Sequence, residues 1–301
     1  MKTITFNQRK LKKNLFLVAC LTIPVLHWLV FWLYINIDSF VLSFQNLLGD
    51  WVGSANYKWY FTNLTSDNPV VDMWEALRNT LVSFCFSLGV STPICLAFSY
   101  FFYKKIAGYK VYKVISYLPS IIGSMVMVSA FKGAIRSDGP LDILIQKMGG
   151  DPIPKLLYDS RYAFTTCLIY DLWDGFGIGL ILYSGAMSRI PQEVVEYAYL
   201  DGVNAWQEFT RITFPLIWPT FSMKLILSIG DLFTSSSGPV FLLTNGDYGT
   251  MNISFSMFQQ VYQYQQVCRA ATIGSIFTLL GVPLVLFSRW VLNKIREPEE
   301  Y

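Results

Sequence analysis

The feature that most constrains this chain is a set of apolar stretches, each about as long as a bilayer is thick. They lie at 15–37, 77–103, 114–134, 163–183, 215–235 and 271–292. An α-helix needs roughly 20 apolar residues to cross a hydrocarbon layer. Lipid admits only helices or closed barrels, because each backbone N–H and C=O must find its partner internally. The expected fold is therefore an all-α integral membrane protein with about six transmembrane helices. Composition agrees: 53% of residues are hydrophobic, 17% aromatic and 14% charged, with a mean hydropathy of +0.40. A soluble domain carries about 25% charged residues. The first stretch is too long for a signal-peptide core and lacks a small-residue cleavage site after it, so it is expected to stay as a span. Six helices together can enclose a path, whereas one or two cannot.

Cations set the expected orientation. An even number of spans puts both termini on one side. That side collects Lys2, Arg9, Lys10, Lys12, Lys13, Lys104, Lys105, Lys110, Lys113, Arg189, Arg211, Arg289, Lys294 and Arg296. The other side holds only Lys58, Arg78, Arg136, Lys147, Lys155, Arg161 and Arg269. Cation-rich loops stay in the cytoplasm, so both termini are expected there. The net charge of +3 is mostly this asymmetry and gives no reason to expect a nucleic-acid partner. The resulting layout is a basic segment at 1–14, a first helix at 15–37, an outer loop at 38–76, a core of five helices at 77–292 and a tail at 293–301. Cys20, Cys85, Cys95, Cys167 and Cys268 lack metal-ligand spacing, and His27 is the single histidine, so no metal site is expected.

Outside the apolar stretches lie three loops, the first of mixed character and the other two with turn signals. The first holds "GDWVGSANYKWYFTN", whose aromatics suit a membrane interface or a sugar ring. The second, "RSDGPLDILIQKMGGDPIPKLL", predicts a short helix at 141–148 between Gly-Pro and Gly-Gly turns. The third starts "SSSGPVFLLTNGDYGT" and reads as a re-entrant or irregular segment.

The loop at 185–214 is longer than a helical hairpin needs. Pro191 suits the first position of a helix, with Glu193 and Glu196 near the positive end of its dipole. Gly202 is placed to end that helix in a left-handed turn. Asn204 and Gln207 have the spacing of a capping pair that starts a second helix. Pro215 is expected to begin the next span. The segment reads as two short helices hinged at Gly202, with a small-residue face at Ala198 and Gly202 where another backbone can approach. An amphipathic helix lying on lipid is the competing reading, and the acids there argue against an anionic leaflet.

Read from Glu196, the segment runs Glu196-Tyr197-Ala198, then Gly202, then Ile212, then Phe214-Pro215. This resembles the motif of permease subunits of ATP-binding-cassette (ABC) importers: Glu-Ala-Ala, three residues, Gly, nine residues, Ile, one residue, Leu-Pro. Tyr197 and Phe214 depart from it, and Asp201 before the glycine is common in the family. The chain is similar to permeases of the carbohydrate-uptake group, such as those for maltose, glycerol phosphate and oligosaccharides. The resemblance implies a type I ABC importer permease fold in a bacterial cell membrane. It also implies a coupling helix that docks on a cytoplasmic ATPase dimer, with Glu193, Glu196, Ala198, Asp201, Gly202, Ile212 and Pro215 as coupling residues. A second, non-identical permease and an extracytoplasmic solute-binding protein are the other implied partners.

The chain has no Gly-x-x-x-x-Gly-Lys-Ser/Thr loop, so ATP and Mg would be used by the partner ATPase, and no cofactor is expected on this chain. Carboxylates inside apolar stretches are costly unless they face a cavity or a partner. Asp171, Asp174 and Asp231 are therefore expected at the pore or at a subunit interface, and Lys224 is a possible structural ion-pair partner for Asp231. Tyr170 and Trp173 lie beside the first two and offer ring faces to a sugar. Gly175, Gly177 and Gly179 suggest close helix packing. A membrane-embedded glycan- or lipid-modifying enzyme would need a clustered acid–base set that the sequence does not offer. A stand-alone secondary transporter would be expected to show inverted repeats, which are absent.

Overall fold

The computed structural model describes residues 6–65, 73–233 and 237–296; its regular elements there are all helices, with no strand among them. Helix α1 spans Lys13–Leu42, and α2, Ala55–Thr65, follows in the loop after it. Helix α3 spans Met73–Tyr103. Then come α4, Tyr109–Ile121, α5, Ser124–Ile135, and α6, Pro140–Lys147. Helix α7, Ala163–Met187, leads into α8, Gln192–Leu200, and α9, Ala205–Gly230. The last three are α10, Ser237–Leu243, α11, Ile253–Tyr262, and α12, Val267–Ile295. Five of these helices, α1, α3, α7, α9 and α12, are long and apolar enough to cross a membrane. Residue 235, the expected end of the fifth stretch, and the tail beyond residue 296 lie outside the described residues, as do Lys2 and residues 66–72.

The third apolar stretch is not one straight span. Its two halves, Tyr109–Ile121 and Ser124–Lys147, meet at 109°. Ile122 and Gly123 are both extended (ψ 142° and 135°), and Pro119 just before them can donate no N–H. The bent pair makes the sixth candidate span. The fifth stretch also differs from expectation. Its helix starts at Ala205, so the second short helix of the 185–214 loop is the first turn of α9, and Pro215 lies inside it.

Two helices share one solution to an internal proline. A π-helical turn, Ser87–Ser91, precedes Pro93 in α3, and another, Phe209–Thr213, precedes Pro215 in α9. Proline removes a backbone donor and presses on the carbonyl four residues earlier. The wider turn moves that carbonyl away, with bonds five residues back, from Thr92 to Ser87 and from Phe214 to Phe209.

Helix α7 is the hub of the bundle. Near the 185–214 loop, Cys95, Leu96 and Tyr100 of α3 pack with Tyr183, Met187, Ile190 and Ile217. At the other end of α7, Val128, Leu157 and Leu243 surround Cys167 and Tyr170. A further cluster at that end joins Tyr60, Met73, Ala76, Ile253, Ile273 and Phe277. Gly177 and Gly179 allow the close approach expected of them. A Cβ on Gly177 would sit 2.9 Å from the Ser116 carbonyl oxygen, and one on Gly179 would sit 2.8 Å from Cys95 Sγ. Gly175 meets nothing. Helix α1 stands apart: no residue of its apolar window is buried, and only its last turns, Ile35–Leu42, lie along α12.

Candidate functional site

The loop after α7 is built from local signals. Pro191 is the N-cap of α8 rather than its first helical residue, with extended ψ of 134°. Glu193 sits in the first turn, where a carboxylate favours the helix dipole. The helix ends in a Schellman turn: the Val203 N–H donates to the Ala198 carbonyl and the Gly202 N–H to the Tyr199 carbonyl, both at 3.1 Å. Gly202 takes φ of +71°, a conformation that a Cβ disfavours. Asn204 and Gln207 then form a complete capping box, with the Gln207 N–H donating to Asn204 Oδ1 at 2.9 Å and the Asn204 N–H to Gln207 Oε1 at 3.2 Å.

What holds this loop against the bundle was not legible in the sequence. Lys104, one residue past the end of α3, places Nζ 2.5 Å and 2.6 Å from the two carboxylate oxygens of Glu208. Glu208 is 2% exposed. The same ammonium donates to the Tyr199 hydroxyl at 2.9 Å and lies over the Tyr199 ring. Tyr100 donates its hydroxyl to the Ala205 carbonyl at 3.2 Å and stacks edge-on against Phe209. Burial alone would pull the Lys104 ammonium down. The hydrogen bonds to Glu208 and Tyr199 outweigh it and hold the group above the ordinary lysine range. Lys104 counted in the sequence only as a topology charge, and Glu208 was one polar residue among several.

The expected small-residue face divides in two. Ala198 is 7% exposed and turned into the protein, while Gly202 lies at the surface with open space where a Cβ would be. A cluster of large apolar residues is exposed instead: Leu200 at 81%, Trp206 at 73% and Tyr197 at 69%. Glu193, Glu196 and Asp201 are exposed around them, whereas Ile212 and Pro215 are half-buried in α9.

Within the bundle, Asp171, Lys224 and Asp231 line one cavity of about 150 Å³ together with Thr80, Ser83, Ser87 and Ser228. That is room for several waters, in a wall made of α3, α7 and α9. Trp173 and Asp174 are not part of this lining. Trp173 lies 5.9 Å from Phe131 in a stacked arrangement and is 38% exposed, and Asp174 is half-buried. Tyr170 is a core residue. It is 2% exposed, edge-on to Phe131 at 5.1 Å, and its ring is not presented to a solute. Asp171 and Tyr170 part company because neighbours on a helix point about 100° apart.

The family follows from comparison. Residues 77–297 match the model of the "Binding-protein-dependent transport system inner membrane component", and the chain belongs to this family. It is therefore a multi-pass inner-membrane permease subunit of an ABC importer and not an enzyme. The osmoprotective compounds uptake permease protein GgtC of Synechocystis sp. is 29% identical over 285 residues, covering 90% of this chain and 93% of its own. The arabinooligosaccharides transport system permease protein AraP of Bacillus subtilis is 26% identical, covering 88% and 84%. The fold superposes on a chain from the crystal structure of a bacterial ABC transporter involved in the import of the acidic polysaccharide alginate. The TM-score is 0.83 at 22% identity, covering 95% of this chain and 98% of that one.

Proposed function

We propose that this permease carries a sugar or oligosaccharide, and that the 185–214 loop is its coupling element. A solute-binding protein outside delivers the solute, a second, non-identical permease completes the pathway, and both termini face the cytoplasm. The observation that carries the coupling assignment is the pairing of a latched helix with an exposed apolar patch. Leu200, Trp206 and Tyr197 stand outward on a loop whose base is fixed by the Lys104–Glu208 pair. Such a patch at a water-facing loop is a partner surface. A rigid mount lets a partner's displacement reach α3 and α9 directly.

In this reading the ATPase dimer binds ATP and Mg, and this chain binds no cofactor. Tyr197, Leu200 and Trp206 enter the ATPase groove. Glu193, Glu196 and Asp201 surround them as a charged rim, and Gly202 leaves space for close approach. Ala198, Ile212 and Pro215 act from behind, through packing. The solute passes the polar cavity of Asp171, Asp231 and Lys224, with Trp173 and Asp174 nearby on α7. The sugar class is supported by AraP, whose name specifies arabinooligosaccharides. The test is copurification with ATP-driven uptake. Leu200→Glu is expected to strip the ATPase from the complex and abolish uptake while the permease still inserts. A variant that keeps both association and uptake would overturn the docking assignment.

A further inference from the structure

At the end of the bundle opposite the coupling loop lies a cavity of about 820 Å³, within the range that holds a drug-sized ligand. It sits between the end of α5, the segment leading into α7 and the turn after α10. Its wall carries Lys132, Arg136 and Lys155, the side chains of Tyr158 and Tyr248, and no carboxylate. Among the described residues none of the three cations has a carboxylate within ion-pair reach. Two nearby acids are engaged elsewhere. Asp142 accepts the backbone N–H groups of Asp138 and Ile153, both at 2.8 Å, and Asp159 holds its own neighbour Arg161 at 3.6 Å. Helix-dipole compensation explains Lys132 and Arg136, which lie at the C-terminal end of α5. It does not explain Lys155, which comes from another segment and converges on the same space. The two tyrosines meet edge-on at 5.8 Å, so that each keeps part of its surface in the pocket.

Three cations share one wall that has no carboxylate in it, and a concave surface focuses their field outward. An anion matches that field, and a guanidinium beside ammonium groups suits a planar carboxylate held by paired N–H bonds. The tyrosines add amphipathic ring surface of the kind that meets a pyranose face and its hydroxyls. A neutral sugar would leave the cations unmatched. We propose that this pocket receives a carboxylate-bearing, uronate-type oligosaccharide at the entrance of the pathway. The inference rests on the sugar-importer reading and narrows its substrate class.

The experiment uses the intact importer, purified with its own ATPase, second permease and binding protein and reconstituted in liposomes. ATPase stimulation is measured with an oligogalacturonate and with its methyl ester, which has the same backbone and no charge. The wild type is expected to prefer the free acid. Lys155→Gln and Arg136→Gln are each expected to raise the half-saturating concentration for the acid about tenfold relative to the ester, or ~1.4 kcal/mol. Lys155→Arg is expected to retain the preference, which separates lost charge from a damaged fold. Stimulation by the ester and the acid alike, or variants that keep the wild-type preference, would overturn the proposal and leave the importer reading intact. Loss of binding-protein association in the variants, equal for both ligands, would overturn it too, because the cations would then serve an acidic protein surface. A complex lacking an associated ATPase and ATP-driven uptake would instead sink the importer reading itself.

Discussion

The two ends of the bundle hold irregular backbone with a different balance of ion pairing and neutral hydrogen bonds. At the end with the 185–214 loop the turns are closed by neighbours in sequence, a Schellman turn at Gly202 and a capping box at Asn204, and the loop is tied to α3 by the Lys104–Glu208 ion pair and the Tyr100–Ala205 hydrogen bond. At the outer end the loops are pinned by buried polar side chains reaching across the molecule. Asn79, 1% exposed, donates to the carbonyls of Gly249 and Met251 at 2.9 Å each. The Ile253 N–H donates to Thr80 Oγ1 at 3.1 Å, while Thr244 closes its own loop on Thr250 at 2.6 Å. The 185–214 loop is thus closed within itself and held to α3 by the side chains of Lys104 and Tyr100. The loops at the other end have local closures too, a Schellman turn at Gly149 and a cap at Asn252, and add bonds to α3 from far along the chain. A loop that must move as a lever suits the first arrangement, and a surface that must keep its shape while helices shift suits the second.

The sharpest way to break the contrast is at the buried ion pair. Lys104→Met leaves Glu208 charged, buried and without its cation, a change that costs about 3–5 kcal/mol in comparable buried pairs. Glu208→Gln is expected to cost less, since Lys104 keeps the Tyr199 hydroxyl and is 20% exposed. The double variant Lys104→Met/Glu208→Gln is expected to recover part of the loss, because no orphaned charge remains. Thermal unfolding in detergent gives the order, and ATP-driven uptake is expected to fall further than stability does. Equal melting temperatures for the two single variants would show that the pair is not the attachment. The pH dependence has a defined sign. The folded-state pKa of Lys104 is raised, so its contribution is fully present below the unfolded lysine value and is lost only as pH rises through the folded one. Titration across neutral pH leaves the lysine's part of the latch intact.

Next in size is the outer end. Asn79→Ala removes two hydrogen bonds from a buried amide to half-buried loop carbonyls and is expected to cost about 1–3 kcal/mol. The damage should stay local, with faster proteolysis within 244–252 and an unchanged yield of copurified ATPase. If Asn79→Ala released the ATPase as readily as Lys104→Met, the two ends would not be independent, and the contrast would fail.

This difference also explains what was legible in the sequence. Gly202, Asn204 and Gln207 announced their roles because a cap or a left-handed turn needs particular residues at fixed short offsets. Gly177 and Gly179 were legible for a similar reason, since only a missing Cβ permits the observed approach to α4 and α3. Asn79 with Gly249 lies 170 residues apart and Lys104 with Glu208 lies 104 apart, and no local pattern encodes such pairs. The bend at Ile122 was hidden inside an apolar run, because hydropathy measures length and not direction. Helices α2 and α11 lay in loops that read as turn-rich. Tyr170 was expected to face a solute because it adjoins Asp171, but adjacency on a helix separates side chains rather than grouping them.

The smallest expected effect tests whether the local closure matters to the lever. Asn204→Ala removes the acceptor for the Gln207 N–H and leaves only the backbone N–H that donates to Gln207 Oε1, a loss that costs about 1 kcal/mol in typical N-caps. The first turn of α9 is only Ala205–Glu208 before the π-helical turn begins, so fraying there reaches the residue that carries the ion pair. A loss near 1 kcal/mol in stability should therefore come with a larger relative loss in coupling, read as uptake per ATP hydrolysed. Asn204→Asp keeps a side-chain acceptor for the Gln207 N–H and places negative charge at the helix start, where the dipole favours it. It is expected to restore both quantities. If Asn204→Ala lowered stability while uptake per ATP stayed at the wild-type value, the cap would be a local convenience. The ion pair alone would then carry motion from the coupling loop into α3 and α9.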